Sequence, residues 1–511
     1  MPEHLRALVV ILILAAVVFV FAKAPACHLA CSVSNFERRR NLWFGVTLAA
    51  FLSHNFWIFI LVTAVMLLFA LAHETNKLAM FFALLFAVPM ISERVTGLGI
   101  VNYLFDLNYV RLLCLVILLP TYFSLRKQSD VDPFGRLLAD KFILGYIVLN
   151  ILLMLQLISF TATLRQGVFY SFIDIFLPYY VASRSLKDLA QFRDALMAFV
   201  VAVLILAAVG TFEFVRHWLL YSHVDDALGV KMEMDYLARG DNLRALASTG
   251  HSIVLGYVIA VGIGLSFYLK ILFPKPLTWG LGIAGLVVGI VAPLSRGPWF
   301  GAVLMLLILI SVGPSPSKSF IRFGLLVLIS GAVLLASPVG EKVVDILPFV
   351  GKVDAANVTY RQILLERSIR IIMENPFFGS HNYMSALSSV QELRQGGGFV
   401  DLVNTYLGVG LVNGLVGLFL FVGFFILIVF GIYKAMRGLS DKTHEVYLLG
   451  GTLLSVLLGI LFIIFTVSSI SVIAVVYWSV AGLGVAFMRM SANAEVIDAK
   501  DVKIVRAVAT S

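Results

Sequence analysis

Five arginines stand where a cation is costly. Arg296 lies in Val288-Gly-Ile-Val-Ala-Pro-Leu-Ser-Arg-Gly-Pro-Trp-Phe-Gly301, between two apolar stretches. Arg165, Arg216, Arg244 and Arg361 fall near the ends of other apolar segments or in the loops between them. A cation at the edge of a bilayer is retained where a partner holds it or a ligand needs it. The planar guanidinium fork matches phosphate oxygens in pairs, so a face that gathers arginines points to an anion, with a lipid diphosphate the leading candidate. Each arginine also has a plain reading. Arg296 snorkels to the interface, Arg244 and Arg361 are solvated loop charges, and Arg165 pairs with Asp174. The last pair is nine residues apart on one helix, on opposite faces, so it needs a bend or another partner.

The remaining titratable groups sort the same way. Asp401 and His381 can act as a base, or else cap a helix and bond a loop, respectively. His251 sits at a helix start. Asp174, inside Phe172-Ile-Asp-Ile-Phe176, is a carboxylate within a span and reads as the structural partner of an arginine. Glu213 and Arg216 are three residues apart and read as a local pair. Cys27-His28-Leu-Ala-Cys31 has no second pair at ligand spacing, and no Asp-x-Asp-like pair stands in the loops, so no metal and no cofactor is expected.

Composition fixes what must position these groups. Of 511 residues 60% are hydrophobic and 13% charged, and the mean hydropathy is +0.99. Soluble domains carry about 25% charged residues. The chain is therefore read as an all-α polytopic membrane protein, which excludes a soluble enzyme or nucleic-acid binder. The net charge of +9 is explained by basic loops on one side. Apolar runs at 5–22, 43–72, 78–92, 107–125, 141–160, 168–182, 195–215, 250–268, 276–293, 297–312, 319–336, 404–432, 445–466 and 470–488 give about 12–14 spans. The 43–72 run is too long for one span and should break at Ser53-His54-Asn55.

Basic clusters at Arg126/Lys127/Arg136/Lys141, Arg184/Lys187/Arg193, Lys270/Lys275, Lys318/Arg322 and Lys434/Arg437/Lys442 fall on one side, read as cytoplasmic. The same count puts Arg38-Arg39-Arg40 outside, in conflict with that rule. The division is an N-terminal bundle at 1–336 with a loop at 216–249, a large loop at 337–403, C-terminal helices at 404–489 and a polar tail at 490–511. Within the large loop, Tyr360 to Met373 has helical spacing, with Ile363, Leu364, Ser368 and Ile371 near one face. Asn375-Pro376 stops that helix, and Gly396-Gly397-Gly398 forms a joint that would let the loop close over a substrate.

A family resemblance rests on the order of several motifs. Arg244 precedes Gly250-His-Ser, and Ser295-Arg-Gly297 stands at a span boundary. Then come Glu374-Asn-Pro-Phe-Phe-Gly379, Asp401-Leu-Val-Asn-Thr-Tyr-Leu407 and Gly414-Leu-Val-Gly-Leu418. From about 140 to 430 this order resembles the O-antigen ligase and polymerase family of bacterial envelope enzymes. The resemblance implies a GT-C-like helical fold in the inner membrane, with the active site facing the periplasm. It implies a glycan donor carried on undecaprenyl diphosphate and a glycan acceptor. Surrounding membrane lipids, a flippase and chain-length or export proteins would be partners. Arg296, Arg244 and Arg361 match the family's diphosphate-binding arginines, with Arg165 and His251 as secondary candidates. Ligases of the family carry His-Asn at the end of the large loop, whereas this chain has Val403-Asn404. Asp401 or His381 would replace that histidine. The expectation is polymerisation of repeat units, with ligation to lipid A-core and lipid-linked oligosaccharide transport as alternatives.

Overall fold

Short polar side chains set where the apolar stretches become helices. Ser32, Asn55, Asn76, Asn108, Asp188 and Asn404 each accept a backbone N–H from the first turn that follows them. Those donors have no partner within the helix itself. The structure, a computed structural model, describes residues 2–97, 99, 102–230, 243–273, 275–335, 355–394, 400–439 and 441–509.

The chain opens with α1 (Glu3–Leu29), α2 (Val33–Leu52), α3 (Phe56–Leu71) and α4 (Lys77–Leu84). An antiparallel hairpin follows, β1 (Ser92–Thr96) with β2 (Tyr103–Asn108), in which Ser92 faces Asn108 and Glu93 faces Leu107. Next is α5 (Tyr109–Arg126), with a π turn at Cys114–Leu118, and then α6 (Leu138–Leu157). Helix α7 joins Phe160–Thr163 to Leu177–Ser185 through π segments Leu164–Phe169 and Ser171–Phe176. The rest are α8 (Leu189–Arg216), α9 (Ser252–Leu269), α10 (Pro276–Gly289), α11 (Arg296–Val312), α12 (Pro316–Leu335), α13 (Ala355–Glu374), α14 (Thr405–Arg437), α15 (Glu445–Ile464) and α16 (Ile473–Ala509).

Burial separates central helices from lipid-facing ones. The apolar window starting at α9 is 89% buried and that of α8 is 78% buried, against 33% for α1 and 28% for α6. Small residues allow the central contacts. A side chain at Gly262 would lie 2.7 Å from Val203, and one at Gly289 would lie 2.5 Å from Ala207. A second, smaller core outside the bundle is made by Leu364, Ile371 and Ile372 of α13 with Leu387, Leu393, Val400 and Leu411. Ser368 is fully buried on the same face of α13, and that helix ends at Glu374, just before Asn375-Pro376.

The all-α membrane architecture is as read from composition, but the span count differs. Among the described residues eight helices are long and apolar enough to cross a membrane, with three shorter apolar ones (α3, α10 and α11). The expected 12–14 counted every apolar run as a full span. The 78–92 run is instead the eight-residue α4, a turn and the start of β1. The 43–72 run breaks at Ser53-His54-Asn55 into α2 and α3, with His54 at φ 51°. Gly396-Gly397-Gly398 lies outside the described residues, as do parts of both long loops.

That broken start also corrects the placement of Arg38-Arg39-Arg40. Arg39 bonds Glu74 at 2.7 Å and Asp194 at 2.5 Å, with all three side chains buried. Asp194 neighbours Arg193, which pairs with Glu445 at the start of α15. Arg184 meets Asp140 at 2.7 Å, and Arg489 meets Asp132 at 3.0 Å. The triplet therefore sits at the basic end of the bundle with the other clusters, not opposite them.

Removing Arg39 would leave two buried carboxylates facing each other. Arg39→Ala is expected to destabilise the protein by about 3–5 kcal/mol. Arg40→Ala, whose guanidinium bonds only Asn41 among the described residues, should stay within about 0.5 kcal/mol of the parent. Thermal unfolding of the detergent-solubilised variants checks this; equal melting temperatures would sink it.

Candidate active site

At the end opposite the basic clusters, the turn between α15 and α16 collects the expected residues. Val467 O accepts from Thr405 N at 3.1 Å and from Thr405 Oγ1 at 2.8 Å, tying the start of α14 to the turn. Ser468 Oγ donates to Asp401 Oδ1 at 3.1 Å. Arg361 Nη2 donates to Thr466 O at 3.4 Å. A side chain at Gly297 would strike Thr466 Oγ1 at 2.4 Å, so the first turn of α11 is pressed against the same residue. Arg361, Asp401 and Gly297, the residue after Arg296, therefore meet at one short polar turn.

Arg296 is the first residue of α11. Among the described residues it makes no hydrogen bond or ion pair, and its Nε is buried without a partner. Ser295 does not cap the helix with its side chain. The open first-turn N–H groups and the guanidinium thus offer positive charge in the same place.

Arg244 is brought to the same boundary by backbone pairing. Its Nε donates to Pro293 O at 3.1 Å, and Ala245 N donates to Ala292 O at 3.1 Å. Behind it, Glu213 is not paired with Arg216 as its spacing suggested. The Glu213 carboxylate is buried and accepts three backbone N–H groups, from Leu220 (3.0 Å), Leu246 (2.9 Å) and Ala247 (2.8 Å). The αL turn of His217 at the end of α8 sends the chain back over Glu213. One buried carboxyl group therefore fixes the segment that presents Arg244.

Asp401 is not the cap of α14. Asn404 caps it, accepting from Tyr406 N at 2.9 Å and Leu407 N at 3.2 Å. The hydroxyl of Tyr360 accepts from Asp401 N at 3.0 Å and donates to Asp401 O at 2.7 Å, which couples Asp401 to the neighbour of Arg361. Asp401 Oδ1 takes Ser468 and its own Val403 N–H, and the second carboxylate oxygen has no hydrogen-bond partner among the described residues. Arg361 is solvent-exposed at the helix surface but flanked by protein toward the turn. That partial desolvation lowers its pKa, and the nearby Asp401 carboxylate and Tyr360 oppose the shift. Val403, where the resemblance expects histidine, sits at φ 39°, an uncommon conformation for a β-branched residue.

Two quoted motifs turn out to be one contact. Gly414 breaks α14 at φ 65°, ψ −168°. The Pro376 and Phe377 carbonyls accept from Leu415 N (2.7 Å) and Val416 N (3.2 Å), and Leu411 O accepts from Ser380 N (2.8 Å). No side chain fits at Gly414, where a Cβ would lie 2.3 Å from Phe377 O. This docking carries His381 to the flank of α14, where it is exposed and, among the described residues, makes no bond to Asp401 or the arginines. His251 caps α9, its Nδ1 accepting from Ile253 N at 3.2 Å.

Arg165 is separate. Its Nη1 donates to Tyr103 O at 2.9 Å, and its guanidinium lies 3.6 Å from the centre of the Tyr103 ring. Asp174 pairs with Arg111 at 2.8 Å rather than with Arg165. The structure therefore brings together Arg296, Arg361 and Asp401, with Arg244 at the adjoining turn, and leaves Arg165 on the hairpin. Sequence reasoning missed the Thr466-Val-Ser-Ser469 turn. A run of small hydroxyl residues between two apolar spans was its only signal.

No curated protein matches the chain. Residues 281–422, which include Arg296, Arg361, Asp401 and the Gly414 break, match a family model described as O-antigen ligase. Over that segment the chain is similar to the O-antigen ligase family, which supports a membrane role in O-antigen or polysaccharide assembly.

Proposed function

We propose that the protein polymerises glycan repeat units carried on undecaprenyl diphosphate, at the periplasmic face of the inner membrane. The observation that carries this reading is the Arg296 guanidinium, which has no partner among the described residues, at the start of a helix packed against the turn that Arg361 and Asp401 also meet. Arg296, Arg361 and Arg244 hold the diphosphate of the donor. The oxygen of an acceptor hydroxyl attacks the anomeric carbon. The bond from that carbon to the diphosphate oxygen breaks, and undecaprenyl diphosphate leaves with the electron pair. Charge grows on the leaving oxygen, where preorganised guanidiniums stabilise it. A diphosphate leaves without a general acid. The hydroxyl proton passes to the open oxygen of Asp401. His381, exposed and away from the turn, fits that role less well.

A second reading, transfer of a finished chain to lipid A-core, is favoured by the description of the matched domain. Acceptor choice separates the two. Purified protein in lipid, given the lipid-linked repeat unit from its source, should yield a ladder of longer glycans. Transfer only after addition of lipid A-core would replace the first reading with the second. Donor binding without transfer to either acceptor would replace both with lipid-linked oligosaccharide transport.

In that assay Arg296→Ala should lower turnover about 10²–10³-fold, and Asp401→Asn about 10²-fold. A ladder of undiminished rate from either variant removes that residue from the mechanism. Glu213→Gln should act at a distance, because an amide has one acceptor oxygen where the carboxyl group has two, so either Leu220 or residues 246 and 247 lose their acceptor. We expect weaker donor binding with the protein still folded; donor affinity equal to that of the parent would show that Glu213 does not position Arg244.

A further inference from the structure

A cleft of about 270 Å³ opens between α6 and α14, beside Asp401. It is lined by Leu402 and by Ser468, the residue that bonds the Asp401 carboxylate, so it begins where the proton would be taken. Its polar lining consists of amide and hydroxyl side chains, among them Asn150, Asn404, Thr405, Asn413 and Ser468, and no Lys, Arg, His, Asp or Glu lines it. The arginines lie along the same turn, at Thr466. The site thus divides into a cationic part and a neutral, hydrogen-bonding part on either side of Val467.

The floor of the cleft is an amide pair. Asn413 Nδ2 donates to Asn150 Oδ1 at 3.0 Å, joining α14 to α6. Neither side chain makes another hydrogen bond among the described residues, although an amide group offers two donors and two acceptor lone pairs. Asn413 is only 2% exposed. Two amides at this depth are expensive beside an apolar pair of similar size unless something else uses their spare groups. Both asparagines line the cleft, Asn150 half-buried and Asn413 buried.

We infer that this cleft is the acceptor subsite and that it takes an uncharged terminal sugar. The inference rests on the glycan-transfer reading above. The volume is close to the low end of small-molecule sites, about 300 Å³, which suits a terminal ring rather than an extended chain. Hydroxyl or acetamido groups match the amides and hydroxyls of the wall, to which Tyr146 and Tyr477 also belong. A sugar carboxylate would be desolvated there with no cation from the lining to meet it. A terminal sugar seated in the cleft presents its hydroxyl to Asp401, and the transfer step is the one already written.

The test uses the full-length protein in liposomes. The donor is its undecaprenyl-diphosphate-linked repeat unit, and the acceptor is a short oligomer of the same glycan prepared separately. Asn413→Leu and Asn150→Leu should raise the KM for acceptor about tenfold, the scale of one lost hydrogen bond, and leave the KM for donor unchanged. Asn413→Ser, which keeps a hydroxyl, should fall between, and it serves if the leucine variant does not reach the membrane. An acceptor ending in a hexuronic acid should not be extended. A KM for donor that rises with that for acceptor would give the cleft to the carrier lipid instead, and unchanged constants in all variants would remove it as a subsite. Both results require active wild-type protein. Wild-type protein that transfers to no acceptor would overturn the underlying reading itself.

Discussion

In a bilayer, backbone that leaves the helix must find its hydrogen bonds inside the protein, and the whole candidate site is built around three places where it does. Gly414 breaks α14, and the carbonyls of Pro376 and Phe377 supply what the helix ladder gives up. The chain between α10 and α11 is met by the strand-like pairing of Ala245 with Ala292. The turn after α8 is gathered by the carboxylate of Glu213. Each repair brings a separate segment to the same end of the bundle. Arg244, Arg361 and Asp401 ride on those segments, and Arg296 stands at the boundary they leave open.

Charge placement follows from the same economy of partners. At the basic end, arginines 39, 184, 193 and 489 each meet a carboxylate. Their charges are used up in holding helices together, and breaking a buried pair of this kind costs several kcal/mol. At the opposite end Arg296 has no such partner among the described residues, and Arg361 is held through a backbone carbonyl that leaves its net charge intact. Pairing, rather than position in the sequence, separates arginines that build the bundle from those available to an anion.

Much of this was legible in the sequence. Composition gave the helical membrane class, and Ser53-His54-Asn55, Asn375-Pro376 and the face of Tyr360–Met373 fell where local rules put them. Local rules have a short reach, and the misreadings lie beyond it. Glu213 and Arg216 satisfied a helix-spacing rule, yet three backbone donors from across two loops took the carboxylate. Asp174 needed an arginine, and the sequence could not say that it would be Arg111, 63 residues upstream. The 78–92 run was apolar enough to span, but hydropathy does not record that it turns into a hairpin. Asp401 looked like a cap because Asn404, three residues on, was equally able to be one.

The buried triad of Arg39 carries a consequence for how the molecule comes to exist. Glu74 follows Arg39 by 35 residues, but Asp194 follows by 155. A chain that enters the membrane N-terminus first has therefore laid down α1 to α7 before the second carboxylate is synthesised. Until α8 arrives, the guanidinium has only half of its partners and keeps its remaining face in water at the membrane surface. The N-terminal helices must wait, inserted but not closed, for a helix from the middle of the sequence. Biogenesis of the bundle is thus ordered by an ion cluster at the end of the protein opposite the candidate site.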